Sequence, residues 1–230
     1  MKYEILHKPS YSLAQVILEK DESIQTESGA MVSMSGNVTI ETGMQKGGIW
    51  GALKRTVLGG ESFFTNTFTA QGEAGEVTLA PVLSGDIHVQ EMKDKVMLVQ
   101  SGSYLAGSKS LEVDTKWGGA KTFFSGEGLF MLRVSGGGVL FMSSYGAIHE
   151  VNLREGQKYI IDTGHVVAFE EQMSYIVKRV GNWKSTFLSG EGLVVEITGP
   201  GKVLLQTRSF ESFLNYLIPR LPKSDNGSSN

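Results

Sequence analysis

Short apolar runs broken by charged or glycine-containing turns recur along almost the whole chain. Val16-Ile17-Leu18 leads into Glu19-Lys20-Asp21-Glu22, then Ile24, then Ser28-Gly29, then Ala30-Met31-Val32. The same order, strand, charged turn, strand, Ser/Thr-Gly turn, strand, returns over Val89–Leu105 and Val151–Val167. A second motif follows each of the later copies. Leu129–Val134 and Val139-Leu140-Phe141 flank Ser135-Gly136-Gly137-Gly138, and Leu193–Ile197 and Val203-Leu204-Leu205 flank Gly199-Pro200-Gly201. Both read as hairpins. A weaker copy runs from Gly60-Glu61-Ser62-Phe63-Phe64 through a turn at Gln71–Gly75 to Val77-Thr78-Leu79. These turn signals stand too close together for βαβ units, so the pattern predicts an all-β chain of antiparallel hairpins.

The copies keep a common phase. Ser125-Gly126-Glu127-Gly128-Leu129 is spelled again as Ser189-Gly190-Glu191-Gly192-Leu193, and the Gly-Glu pairs at 60, 126 and 190 lie 66 and 64 residues apart. Lys54, Lys121 and Lys184 precede the glutamates by 7, 6 and 7 residues. The three tryptophans, Trp50, Trp117 and Trp183, also fall one per copy. A unit of this size buries a core poorly alone, so three copies are expected to pack together, around a pseudo-threefold axis. The predicted division is residues 1–80, 81–141 and 142–208 for the three β repeats, 209–222 for a short C-terminal helix and 223–230 for a disordered polar tail.

Two segments depart from the β pattern. Phe210, Phe213, Leu214, Leu217 and Ile218 follow helical spacing, with Ser209 as N-cap and Pro219 as stop. Ile49, Trp50, Leu53, Val57 and Leu58 share one helical face with Lys54 and Arg55 among them, although Gly51 weakens a helix. This second segment is a candidate interaction segment, expected first to pack at an inter-repeat or subunit interface, with docking on a protein partner or a membrane surface as the alternative.

Composition narrows the function classes. The chain has 29 glycines in 230 residues, as many tight turns require, and no cysteine, which excludes disulfides, thiolate metal sites and thiol catalysis. Its net charge of −3 and the absence of a dense basic tract argue against nucleic acid as a partner. The start, Met1–Pro9, lacks an apolar run of signal-peptide length and no window has the length of a membrane span, so a cytoplasmic protein is expected.

No catalytic constellation emerges. Gly60, Glu61, Gly126, Glu127, Gly190 and Glu191 define the repeat, and a carboxylate recurring in every copy serves the fold, by accepting turn N–H groups or pairing with the upstream lysines. His88 and His149 occupy matching strand positions without acidic ligand spacing, so no metal is expected. Ser135-Gly136-Gly137-Gly138 lacks the lysine and following helix of a phosphate loop. Asp162 and His165 belong to one copy only and would support catalysis if they converged with other polar groups in a cleft.

Together, the triplicated unit, its Gly-Glu turns and the closing Leu217-Ile218-Pro219-Arg220-Leu221-Pro222 resemble a family of bacterial, archaeal and mitochondrial proteins named for altered inheritance of mitochondria. The resemblance covers the chain apart from its polar tail. It implies three small domains like that of the tryptophan RNA-binding attenuation protein, joined in one chain. The eukaryotic branch is tied to mitochondrial biogenesis, whereas no RNA-binding Lys/Arg triplet is found here. The resulting expectation is a non-enzymatic, self-associating β scaffold without a cofactor. The alternative is a small-ligand module with its site between repeats.

Overall fold

The computed structural model describes residues 1–43, 65–114, 123–124, 129–179 and 193–222. A leading strand, β1 (Lys2–Leu6), is followed by unit 1: β2 (Leu13–Leu18), β3 (Ser23–Glu27), β4 (Met31–Met34), β5 (Val38–Gly43), β6 (Thr65–Ala70) and β7 (Gly75–Leu79). Unit 2 contains β8 (Ile87–Met92), β9 (Met97–Gln100), β10 (Tyr104–Ser108), β11 (Leu111–Asp114), β12 (Phe123–Phe124), β13 (Leu129–Gly136) and β14 (Gly138–Ser143). Unit 3 contains β15 (Ile148–Leu153), β16 (Lys158–Asp162), β17 (Val166–Glu170), β18 (Ser174–Arg179), β19 (Leu193–Thr198) and β20 (Gly201–Gln206), and a helix, α1 (Phe210–Leu217), closes the described chain. The all-β reading with a short C-terminal helix holds.

Alternation explains the strands. Along β2 every second residue, Ala14, Val16 and Leu18, is buried while its neighbours face partly outward. The units share one pairing scheme. First strand pairs last and last pairs third, as β2-β7-β4, β8-β14-β10 and β15-β20-β17. The fourth strand pairs the last but one, which pairs the second, as β5-β6-β3, β11-β13-β9 and β18-β19-β16; the short extra strand β12 of unit 2 pairs β13 alone. Each third strand carries a bulge at the same place, between Met31 and Ser33, Tyr104 and Ala106, and Val166 and Ala168. The bulged residues are therefore Val32, Leu105 and Val167.

Two seams join the units. β3 of unit 1 pairs with β10 of unit 2, and β9 of unit 2 with β17 of unit 3. A closed threefold ring needs a third seam, between β16 of unit 3 and β4 of unit 1. That pairing is not among those of the described residues, so β4 and β16 are paired on one side only. The threefold arrangement expected from the repeat count is thus not shown.

The cores interlock across the seams. Unit 1 packs Ala14, Val16, Leu18, Ile24, Phe68 and Leu79 with Ile87, Leu105 and Phe141 of unit 2. The unit 2 core, with Val99, Leu132 and Leu140, takes in Val167, Ala168 and Leu204 of unit 3. Each bulged residue of units 2 and 3 thus fills the core of the unit before it, and full burial of such a side chain contributes roughly 1.5–3 kcal/mol. Charge follows the same direction at the second seam, where Lys95 meets Glu170 at 2.8 Å and Arg133 meets Glu171 at 2.7 Å.

The linkers run side by side. Ser12 N–H donates to Gly85 O at 3.0 Å, Asp86 N–H to Gly146 O at 3.0 Å, and Thr207 N–H to Ala147 O at 3.1 Å. Asp86 is buried there and accepts from Ser12 Oγ and the Ile87 N–H at 3.0 and 2.8 Å. After this spine Ser209 caps α1, its Oγ accepting from the Ser212 N–H at 3.3 Å, and Pro219 lies in a short 3₁₀ turn, Ile218–Arg220.

Candidate interaction surface

Most of the residues singled out from sequence lie outside the described residues: Ile49, Trp50, Leu53, Lys54, Arg55, Val57, Leu58, Gly60, Glu61, Gly126, Glu127, Gly190 and Glu191, with Trp117, Trp183, Lys121 and Lys184. His88 and His149 do take matching places, opposite Met142 and Leu205 at the same point of their units. Asp162 and His165 bracket one turn, where each serves the backbone. Asp162 Oδ1 accepts from the Gly164 N–H at 2.8 Å, and His165 Nδ1 lies 2.7 Å from Gln206 O. A shallow hollow lined by Asn152, Arg154, Glu155, Gly156 and Gln157 belongs wholly to unit 3 and does not lie between units.

Three carboxylates whose pKa values are lowered are held by internal partners. Burial pushes the Glu170 carboxyl up, but donation from Lys95 Nζ, the Lys202 N–H and Gln172 Nε2 outweighs it, and the net shift is downward. Donation from Lys178 and Lys158 lowers Glu196. Glu22 also sits low because the terminal amine and a backbone N–H outweigh its desolvation.

His88 is lowered chiefly by burial and then by Lys202, against the opposing pull of Glu150 and Asp86. The unfolded chain then binds the proton first as pH falls. Stability from this group is fully present above its unfolded value of about 6.5 and declines as pH falls toward its folded value. His88→Gln is expected to lose less stability than the parent chain between about pH 7.5 and 5.5 in urea unfolding, and the His88 ring should titrate below 6.5 by NMR.

Unpaired edges remain. β4 reads Met31-Val32-Ser33-Met34 and is exposed throughout. Among the described edge strands of four or more residues, it alone carries no charged residue. Charged residues are the usual protection of an open edge. Met31, Val32 and Met34 are 40%, 57% and 39% exposed, and Ile160 on β16 is 62% exposed. Their counterparts inside the row, Leu105, Val167 and Leu98, are fully buried. Along α1 and the turn after it, Phe210, Phe213, Tyr216, Ile218 and Leu221 are also exposed, with Phe213 resting edge-on against Tyr145 at 6.2 Å. The apolar stripe predicted on this helix is present, and among the described residues it stays largely exposed.

A family model described as mitochondrial biogenesis AIM24 matches residues 3–208, which span every unit just described. The chain belongs to the AIM24 family. A Streptococcus pyogenes relative, the uncharacterized protein M6_Spy0233, is 30% identical over 98% of this AIM24-family chain and 93% of its own length. The crystal structure of SPYM3_0169, also from Streptococcus pyogenes, superposes with a TM-score of 0.80 at 27% identity, covering 96% of this chain and 99% of that one. The shared architecture therefore extends over all three units. No helix among the described residues of the AIM24-family chain is long and apolar enough to cross a membrane.

The edge strands β4 and β16 carry candidate contact residues that sequence reading did not single out. The signal was present, because Val32, Leu105 and Val167 align as the third strand of each repeat. Only the pairing shows that two of the three have a core to enter.

Proposed function

We propose that this AIM24-family protein is a structural or interaction protein that assembles with copies of itself and acts as a scaffold, not as a catalyst. The observation that carries this reading is the placement of exposed apolar residues. Three of them, Met31, Val32 and Met34, lie together on the edge strand β4, five lie along α1 and the turn after it, and Ile160 lies on the edge strand β16. Patches of this kind on a folded chain mark contact surfaces. The perturbed acidic groups support the same reading, because their partners lie within the chain and leave them structurally committed.

Light scattering coupled to size exclusion on the full chain tests the proposal. The expected result is a mass that is a multiple of 25.0 kDa and that falls on dilution into the low micromolar range. A monodisperse monomer at every concentration, with no protein bound to it in cell extracts, would remove the support for a scaffold.

A further inference from the structure

We infer that β16 of one copy pairs with β4 of a second copy, so that the seam the chain makes twice within itself is made a third time between molecules. The inference rests on the self-association proposed above and names the strands, the register and the polarity.

Register is set by the two existing seams. In the first, Ala106, Gly107 and Ser108 face Thr26, Gln25 and Ile24; in the second, Ala168, Phe169 and Glu170 face Val99, Leu98 and Met97. In both, the residue after the bulge, Ala106 or Ala168, meets the residue two positions after Ile24 or Met97, namely Thr26 or Val99. In unit 1 the residue after the bulge is Ser33. Cross-strand partners fix the equivalent positions on β16, since Ile24 faces Phe68, Met97 faces Val134 and Tyr159 faces Ile197. The new seam therefore pairs Ser33 with Ile161, Met34 with Ile160 and Ser35 with Tyr159, antiparallel.

The side chains suit that register. Met34 opposite Ile160 repeats Phe169 opposite Leu98, a pair that is buried in the second seam. Val32 would enter the unit 3 core of the neighbouring copy, as Leu105 enters unit 1 and Val167 enters unit 2. Among the described residues, that core, built from Ile161, Val166, Val195, Ile197 and Val203, receives no bulged residue from another unit. One feature is more polar than in the internal seams. Ser33 and Thr78, hydrogen-bonded at 2.6 Å, stand where unit 2 has Ala106 and Phe141 and unit 3 has Ala168 and Leu204. Because the pair satisfies itself, it is buried without an orphaned hydroxyl, and it weakens the contact relative to the internal seams without blocking it. Each copy has one β4 and one β16, so the contact is heterologous and assembly runs head to tail.

Cysteine cross-linking tests this directly, since the chain has no cysteine of its own. Met34→Cys and Ile160→Cys alter exposed side chains and leave the monomer's core intact. Mixing the two single variants under mild oxidation should give a disulfide-linked dimer containing one of each, with the Met34→Cys variant alone giving at least tenfold less. The double variant should give a covalent ladder. A second pair, Met34→Lys and Ile160→Lys, should retain the β spectrum by circular dichroism while the multimer dissociates at least tenfold more readily. If the double variant links only within one chain, the units close on themselves and the inference is overturned. Multimers that persist without the cross-link would overturn the inference and leave self-association standing. A monomer throughout would sink both.

Discussion

Replacing Phe141 with alanine lowers the free energy of unfolding by about 3–5 kcal/mol, and the chain still unfolds in a single transition. Phe141 belongs to β14 of unit 2 but is fully buried in the core of unit 1, where Tyr3 of β1 meets it edge-on at 5.3 Å. Its loss empties a space lined by both units, so neither can relax without the other. For a chain of this size the transition should move down by on the order of 10 °C. Phe141→Leu installs the residue that unit 3 carries at the matching place, Leu204, and should cost only about 1–2 kcal/mol. Urea unfolding followed by fluorescence and by circular dichroism checks both statements. Two separated transitions in the alanine variant would mean that the units are not energetically coupled through this ring.

Gly85→Ala is expected to cost at least about 3 kcal/mol and to reduce the yield of soluble protein sharply, for a reason of backbone geometry rather than of core volume. An added Cβ at Gly85 would run into the backbone carbonyl of Ser144, at the point where Gly85 and Gly146 form a parallel bridge between linkers. A flexible side chain could move aside, but here the obstacle is main chain, held by the Ser144 N–H bond to Asp86 O at 3.1 Å and the Gly146 N–H bond to Ser84 O at 2.9 Å. The control is Gly72→Ala. Gly72 has a positive φ, of 77°, which Gly85 does not, but nothing lies within 4 Å of its added Cβ, so the change should cost only the left-handed strain of about 1–2 kcal/mol. Thermal unfolding of the two variants side by side measures the difference. Equal losses would show that the linker spine gives way more easily than its hydrogen bonds imply.

The two substitutions probe features of very different legibility. That Phe141 belongs to a buried strand is plain from Val139-Leu140-Phe141 beside a glycine turn, because strand and turn preferences act over a few residues. That it enters a neighbouring unit is not, because the β3–β10 seam joins residues about 80 positions apart with no turn between them to record it. Gly85 and Gly146 look like two more turn glycines. Their close approach exists only once the linkers have been laid side by side.

The C-terminal helix shows the same division. Its spacing, its Ser209 cap and its Pro219 were readable because capping and helical periodicity are local. Its exposed stripe was not, since whether an apolar face finds a partner depends on what the rest of the chain presents to it. The interaction segment Ile49 to Leu58 and the repeated glutamates lie outside the described residues, so the proposed contact surface stands on β4, β16 and α1.

By itself, then, the sequence determined the all-β class of fold with its short C-terminal helix and the hairpin pattern that recurs along it, and its family resemblance is matched by the AIM24 family over residues 3–208. These follow from patterns with periods of two residues, of one hairpin and of one repeat, all written along the chain. The tertiary structure decided how the units meet: two seams, interlocked cores, and two strands paired on one side only, the uncharged β4 of unit 1 and β16 of unit 3. Equivalent residues such as Val32, Leu105 and Val167 carry the same local code, and position in the row alone buries two of them and leaves one exposed.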